Sequence, residues 1–564
     1  MRENEKDNHV PSRYLIDKTF AARQRNALFI LLRDFNTSSH SSCNNTQSNY
    51  RNLFPLLKLK RPTILDMSIP GLALPGLTFS SNPSSTPSAA AQNATTSFEV
   101  PTDQPPRFID LKPRTEYRFE TSFSQAPLGI TLLTSKTEGV PESATAELFG
   151  TELVPNVEYK LQGVKAAVYT WYGCQLRVQG ETDSEYVAEE TEMTIWSNLH
   201  GYLEGKRSPG VAGPKVLVVG PQNSGKTSLI ETLVAYSLRS DRNPLVVNLD
   251  PAQGMLAPPG SFSAATFGAG RMIDVEDAGV WGPGGSMVDG PSKAVGGTAL
   301  TYHFGEKDVL GQVQSRRFMG LVERLGLAIK GRMARDPDAE AGGLFVDTSA
   351  ALAGSKGDDA IARIVDDFEI NMIIILGSER LSTSLSQRYP QHDSSKSVKI
   401  LKLPKPGGCA ERDSAYMQAL RASQVRSYFY NPKNSAMLSP FTQILDFSIV
   451  QIYKNATSGA DESAWNPGDE DEEDTTSGKT LEKVTPSVSL QHSILAIAHA
   501  TAVSSEDDVS ISAVLGYVYV TEVDETRKKI RLLAPGTLGN LFGGDKGKVF
   551  LCGSWPEDVL ELAR

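Results

Sequence analysis

Cysteine is scarce in this chain. There are four in 564 residues, Cys43, Cys174, Cys409 and Cys552, with no C-x-x-C pair and no histidine cluster beside any of them. That spacing excludes a disulfide scaffold and a zinc module, and it fits a reducing compartment. Long apolar runs are also missing: the longest, near Ala27–Leu32 and Met372–Leu376, fall far short of the roughly 18–20 residues that span a bilayer. The opening Met1-Arg-Glu-Asn-Glu-Lys-Asp7 lacks the basic flank and apolar stretch of a secretory signal. The sequence therefore reads as a soluble, intracellular protein, and its sequons at Asn36, Asn44, Asn93 and Asn455 as chance matches. No repeat of fixed period is present. Basic residues are outnumbered 56 to 66, but the stretch Asp461–Asp474 alone holds a run of carboxylates without a single base. Most of the formal charge of −10 thus belongs to one solvated loop and says little about the rest of the surface.

What is present divides the chain. Residues 1–100 are rich in Ser, Asn, Pro and Thr and bury too little apolar surface to offset their ordering entropy, so disorder is expected there. A fresh-looking segment opens at Met67 (Met-Ser-Ile-Pro-Gly-Leu), which marks residues 1–66 as an extension or a mispredicted start. Over 101–204, short alternating runs at Tyr117–Phe123, Ile130–Leu133, Ala146–Leu148, Glu158–Leu161, Ala167–Trp171, Gln175–Val178 and Thr191–Ile195 are separated by turn residues, the pattern of an antiparallel sandwich. Over 205–437, apolar strands (Val216–Val219, Leu245–Leu249, Leu344–Val346, Met372–Leu376, Val398–Leu403) alternate with helical periods at Thr227–Leu238, Arg316–Ala334 and Asp359–Phe368. Such alternation predicts an α/β fold with a doubly wound parallel sheet. The Gly- and Pro-rich stretch Leu256–Gly297 reads as a long excursion on the ligand face, too polar for a core. Over 438–564, β character returns, interrupted by an acidic insert at 456–482.

The most informative residues are Gly220-Pro-Gln-Asn-Ser-Gly225-Lys226-Thr227-Ser228, between the strand Lys-Val-Leu-Val-Val and a helical stretch. This is G-x-x-x-x-G-K-[ST] in its required context. Glycines let consecutive N–H groups point at phosphate oxygens, and the helix N-terminus adds its dipole. Lys226 can neutralise β- and γ-phosphate charge and the Thr227 hydroxyl can hold Mg²⁺. A second acidic position is expected at a neighbouring strand tip; Asp250 and Asp347 both qualify as metal or catalytic carboxylates. A phosphoryl-transfer enzyme also needs a cationic lid. Arg380 and Arg388 follow the strand Met372–Leu376, but their i,i+8 spacing leaves them about 80° apart on a helix. The absence of an N-K-x-D guanine reader after a strand argues against a P-loop GTPase switch.

The constellation resembles the 5′-hydroxyl polynucleotide kinase family that serves as a subunit of the pre-mRNA cleavage and polyadenylation machinery, of the cleavage factor IA type. The likeness extends beyond the P-loop to Thr115-Glu116-Tyr-Arg118-Phe-Glu120, Ala146-Glu-Leu-Phe-Gly150-Thr-Glu-Leu153, Lys165-Ala-Ala-Val-Tyr-Thr-Trp171-Tyr-Gly173-Cys174, Tyr302-His303-Phe304-Gly305, Arg426-Ser-Tyr-Phe-Tyr430 and Leu438-Ser-Pro440. It covers residues from about 107 to 564, and the start at Met67 is similar to fungal members. It implies an N-terminal β-sandwich, a P-loop kinase domain and a small C-terminal α/β domain. It implies ATP and Mg²⁺ as cofactors, with Glu116 and Lys165 of the sandwich and Asn223, Ser224, Gly225, Lys226, Thr227 and Ser228 of the loop on the nucleotide. It further implies a nuclear assembly, with the scaffold subunit that reads the tail of RNA polymerase II and the other cleavage factor IA subunits as partners.

Two departures matter. Active animal members carry Asp-Val-Gly-Gln-Gly at the second acidic strand, where this chain has Asp250-Pro-Ala-Gln253-Gly254. After Asp347 they place Cys-Gly-Trp-Val-Lys-Gly, whose tryptophan stacks on the terminal RNA base; this chain reads Ser349-Ala-Ala-Leu-Ala-Gly354. Losing that ring removes ~1–3 kcal/mol of stacking, and Trp281 on the Gly-rich excursion is the one candidate substitute. Two expectations follow: an ATP-binding structural subunit of the cleavage complex with weak or absent kinase activity, or an active RNA 5′-hydroxyl kinase.

Overall fold

The computed structural model describes residues 105–134, 144–207, 211–268, 273–277, 299–354, 356–390, 398–430, 439–456, 481–535, 548–554 and 562. The disorder expected over 1–100, the start at Met67, Trp281 and nearly all of the acidic insert lie outside them.

Nine strands open the described chain: β1 (Arg107–Leu111), β2 (Thr115–Glu120), β3 (Leu128–Leu132), β4 (Glu147–Leu148), β5 (Thr151–Glu152), β6 (Glu158–Leu161), β7 (Lys165–Thr170), β8 (Cys174–Gln179) and β9 (Ser184–Ala188). They form two sheets, β1-β8-β3-β6 and β5-β4-β7-β2-β9. The alternation that predicts strands also supplies the core: Tyr117, Phe119, Ile130, Val168, Leu176 and Val178 are buried between the sheets. One expected strand is wrong. Thr191–Ile195 gives way to helix α1 (Met193–Glu204), because Met193, Trp196, Leu199 and Leu203 recur at helical spacing and bury one face. The strand missed there is β9, an edge strand whose first four residues are all exposed. It has no buried alternation to reveal it.

The central sheet contains β10 (Lys215–Val219), β11 (Leu245–Leu249), β12 (Ser261–Thr266), β13 (Leu300–His303), β14 (Leu344–Thr348), β15 (Met372–Leu376) and β16 (Lys399–Leu403), in the order β13-β12-β11-β14-β10-β15-β16. Pairings among β11, β14, β10, β15 and β16 are parallel; β12 and β13 extend the edge in antiparallel fashion. Helix α2 (Lys226–Arg239) and α1 cover one face, contacting Val216, Val218, Val246 and Ile374. On the other, α3 (Arg316–Met333) and α5 (Gly357–Phe368) cover Leu217, Val247, Val346 and Ile373. The short α4 (Pro337–Gly342) precedes β14, and α6 (Glu379–Arg388) follows β15. The excursion expected over Leu256–Gly297 is a second correction for its described part, 256–268, while residues 269–272 and 278–297 lie outside the described ones. Met255, Leu256, Phe262, Ala264 and Phe267 are buried and β12 lies inside the sheet, because β11 shields it on one side and β13 on the other.

Helix α7 (Ser414–Tyr430) leads to the last sheet, built from β17 (Phe441–Asp446), β18 (Val450–Asn455), β19 (Leu481–Val484), β20 (Ile494–Thr501), β21 (Val514–Asp524), β22 (Lys529–Ala534) and β23 (Lys548–Cys552), with the short α8 (Glu506–Ser510). Its order is β17-β22-β21-β20-β23-β18-β19. Val425, Tyr428 and Phe429 of α7 belong to the core on one face of this sheet. Asn455 pairs with Leu481 in the antiparallel β18–β19 ladder at one edge of this sheet.

The sandwich grips α2 through the β4–β5 turn. A Cβ at Gly150, which has φ +80°, would lie 3.0 Å from the Thr232 carbonyl oxygen and 3.1 Å from the Ala235 Cβ. Glu147 accepts a hydrogen bond from the Tyr236 hydroxyl and pairs with Arg239 at 3.1 Å. The helix that begins at the P-loop is thus fastened to the sandwich on its flank.

Candidate nucleotide site

The phosphate cradle forms where β10 ends and α2 begins. Gly220 is required sterically, since a Cβ there would lie 2.7 Å from the Leu376 carbonyl oxygen. Asn223 (φ +53°) and Gly225 (φ +83°) take left-handed conformations that curl the loop. Ser224 Oγ donates to the Pro221 carbonyl at 2.8 Å. Lys226 is 8% exposed, and its Nζ donates to the carbonyls of Gly220 and Pro221 at 3.1 and 2.9 Å. Burial pulls the lysine below its ordinary pKa, while Asp347 and Asp250 oppose that shift.

Both strand-tip carboxylates reach this group. Thr227 Oγ1 donates to Asp347 Oδ2 at 2.6 Å, and Thr348 N donates to Asp347 Oδ1 at 2.9 Å. Burial pushes the Asp347 carboxyl up to about 6 against the pull of Lys226 and Thr227. Asp250 is raised by the same cause and held down by Lys226. A hydroxyl and two carboxylates converging on a phosphate cradle are hard oxygen donors of the kind Mg²⁺ takes together with substrate phosphates. Among the described residues no group of three His, Cys, Asp or Glu is placed to hold a metal ion.

The opposite wall belongs to the sandwich. Glu116, Arg118, Phe149, Lys165, Ala166, Ala167 and Tyr169 line one cleft together with residues 223–228 and with Met193 and Trp196 of α1. Glu116 accepts from Thr191 Oγ1 and pairs with Arg118 Nε at 2.8 Å. Lys165 Nζ pairs with Glu120 at 2.7 Å and donates to the Glu411 carbonyl at 2.7 Å. The segment 406–412 forms the roof. A Cβ at Gly408 would lie 2.6 Å from Arg118 Nε, and one at Gly225 would lie 3.0 Å from Cys409 Sγ. Arg412 Nη1 donates to Gln253 Oε1 at 3.0 Å. Tyr169, Met193 and Trp196 supply apolar lining of the kind that suits an aromatic base, and Lys226, Arg118 and Arg412 supply charge that suits phosphates.

The structure therefore gathers Glu116, Lys165, Asn223, Ser224, Gly225, Lys226, Thr227 and Ser228 on one cleft, with Asp347 bonded to Thr227 and both Asp347 and Asp250 acting electrostatically on Lys226. It does not bring Arg380 and Arg388 there. Arg388 pairs with Asp359 at 2.9 Å on α5, and Arg380 donates to the Ala353 carbonyl at 2.5 Å. The arginines that line the cleft are Arg118 and Arg412.

Three family profiles match in succession: the N-terminal beta-sandwich domain of polyadenylation factor over 110–209, the mRNA cleavage and polyadenylation factor CLP1 P-loop over 220–431, and the pre-mRNA cleavage complex II protein Clp1 over 438–542. The mRNA cleavage and polyadenylation factor CLP1 of Phaeosphaeria nodorum is 42% identical over 499 residues, 86% of this chain and 99% of its own. This chain belongs to the Clp1 family. The clp1 factor of Botryotinia fuckeliana is 38% identical, covering 80% of this chain and 94% of its own. Among solved structures, a complex of wild-type Clp1p with Pcf11p aligns with a TM-score of 0.66 at 24% identity, covering 80% of this chain and 98% of that one. A second, concerned with an extended Pcf11p–Clp1p interface and ATP loss in a glycine-to-arginine point mutant, aligns with a TM-score of 0.67 at 25% identity, covering 80% and 99%.

Within the Clp1 framework, two residues that motif reading passes over become explicable. Arg118 and Glu120 lie two and four positions after Glu116 on β2, so the period of a strand puts all three on one face. Placing Glu116 could have placed Arg118. Arg412 had no such signal, because it reaches the cleft from a segment far along the chain.

Proposed function

We propose that this chain is an ATP-binding structural subunit of the nuclear pre-mRNA cleavage complex, required for cleavage during polyadenylation-dependent 3′-end formation. The observation that carries the reading is the composition of the cleft: sandwich, P-loop and roof segment each supply one wall. A nucleotide seated there touches all three and holds them together. ATP at about 1,000 times its dissociation constant stabilises such an arrangement by ~4 kcal/mol. Lys226 and the loop amides would hold the phosphates, with Mg²⁺ on Thr227, Asp347 and Asp250. Related Clp1p structures contain Pcf11p, and a corresponding scaffold subunit, one that reads the tail of RNA polymerase II, is the proposed partner here.

The acceptor side supports a structural role. After Asp347 the chain folds into a 3-10 turn, Ala350–Ala353, with Leu352 fully buried in the central core. Neither an aromatic ring nor a lysine occupies the turn. The alternative, an active 5′-hydroxyl RNA kinase, is favoured by the intact Lys226, Thr227, Asp250 and Asp347 and by Arg412 in the cleft. Incubating the purified protein with labelled ATP and a 5′-hydroxyl RNA oligonucleotide separates the two. Retained, untransferred ATP is the expected result; transfer abolished by Lys226→Ala would establish the kinase instead.

A further inference from the structure

The loop that carries Asp250 is bonded largely to itself, with two bonds from outside: Gly260 N donates to the Pro251 carbonyl at 2.8 Å and Arg412 Nη1 to Gln253 Oε1 at 3.0 Å. Asp250 N donates to Asn248 Oδ1 at 2.9 Å and Ala252 N to Asp250 Oδ1 at 3.2 Å. Asn248 Nδ2 donates to the carbonyls of Asp250 and Gln253 at 3.1 and 3.0 Å. Gly254, the last residue of the loop, is different: its N–H donates to Gln424 Oε1 at 3.2 Å, and its carbonyl accepts from Gln424 Nε2 at 2.8 Å. Gln424 is 3% exposed, so both bonds lie away from water, where an unmade partner is costly. No side chain fits at Gly254, since a Cβ there would lie 2.6 Å from Pro259 Cδ.

Gln424 does not belong to the central sheet. It lies on α7, one residue before Val425 and one turn before Tyr428, both in the core of the C-terminal sheet. Tyr428 Oη accepts from the backbone N–H of Tyr517 on β21 at 2.8 Å. The same helix starts from the roof: Arg412 holds Gln253, and Tyr416 Oη donates to the Gly163 carbonyl of the sandwich at 3.0 Å. One continuous element thus touches the sandwich, the Asp250 loop and the C-terminal core.

We infer that Gln424 is a positioning residue for the Asp250 loop, and that through α7 the seating of the C-terminal sheet controls how firmly the nucleotide is held. The inference rests on the cleft being an ATP site, and by linkage anything that shifts α7 from the C-terminal side changes ATP retention by the factor with which ATP changes it.

The test uses the full chain and the near-isosteric Gln424→Met, which keeps the packing volume and removes both hydrogen bonds. Amide hydrogen exchange over 250–256 is expected to accelerate about tenfold, the factor equivalent to ~1.4 kcal/mol, with 344–348 unchanged. Release of a fluorescent ATP analogue should accelerate by a similar factor, and the slowing of release by Mg²⁺ should shrink. Tyr428→Phe, remote from the cleft, should raise exchange over 250–256 by a smaller factor. Unchanged exchange over 250–256 in Gln424→Met, or equal acceleration at 344–348, overturns the positioning role. An unchanged loop in Tyr428→Phe overturns the control by the C-terminal sheet. If the wild-type protein retains no ATP analogue, the proposed function fails, while the exchange measurements still decide this inference.

Discussion

The tips of β10 and β14, two adjacent strands of one sheet, have been treated differently. At the tip of β10 every feature needed to hold a triphosphate is intact: left-handed Asn223 and Gly225, a buried Lys226, and Thr227 bonded to Asp347. A few residues past the tip of β14 the chain offers alanines and a leucine turned into the core. A kinase needs both a donor and an acceptor platform. An intact phosphate loop beside a turn, Ala350–Ala353, that carries no ring supports the proposed role of ATP as a structural clamp.

Substitutions can break that contrast. The largest effect is expected for Lys226→Ala, which removes a charged donor worth ~1.5–3 kcal/mol; ATP affinity measured by calorimetry should fall on the order of 100-fold. Gly225→Ala comes next. It forces a Cβ into the left-handed region at ~1–2 kcal/mol and 3.0 Å from Cys409 Sγ, so retention should weaken roughly tenfold, read as a faster off-rate. On the acceptor side, Ala350→Trp supplies the missing ring, and single-stranded RNA affinity by fluorescence anisotropy should rise by up to about tenfold, the low end of ~1–3 kcal/mol of stacking. No rise would mean the turn does not face the acceptor path.

The effect least tied to the cleft is expected in acid. Burial, with Arg317 adding to it, holds the His303 imidazole down to about 3, and burial holds His200 down to about 4. Between those values and their ordinary pKa of 6.5 the unfolded chain binds more protons than the folded one, so stability falls as pH drops below about 6.5. Asp347, raised to about 6, acts oppositely: below that value the folded state binds the extra proton, which offsets part of the loss. Urea denaturation from pH 7 to 5 should show this decline, shallower in His303→Phe and steeper in Asp347→Asn.

Much of the site was legible because the chemistry is contiguous. Gly220–Ser228 sits between a strand and a helix, and both candidate carboxylates end apolar runs that could only be buried parallel strands. The errors have physical causes. Thr191–Ile195 looked like a strand because the window stopped before Trp196, too short for the helical period to declare itself. The segment around Phe262 looked too irregular for a core because its burial comes from β11 and β13, one on each side. Arg380 and Arg388 seemed suitable as a lid from their place after a strand, but Asp359 and the Ala353 carbonyl lie nearer to them than the cleft does.

The sparse cysteines and missing apolar spans excluded whole classes of protein, and the P-loop dictated a phosphate site, because backbone curl and helix start are local properties of consecutive residues. Which cations close the cleft was decided by the tertiary structure. Arg118 and Arg412 meet the phosphate cradle only when the sandwich docks on α2 and the 406–412 segment folds over it. Gln424 likewise meets Gly254 only because α7 is pinned at its far end by the C-terminal core. Contacts between residues so distant in sequence depend on packing that no local pattern encodes.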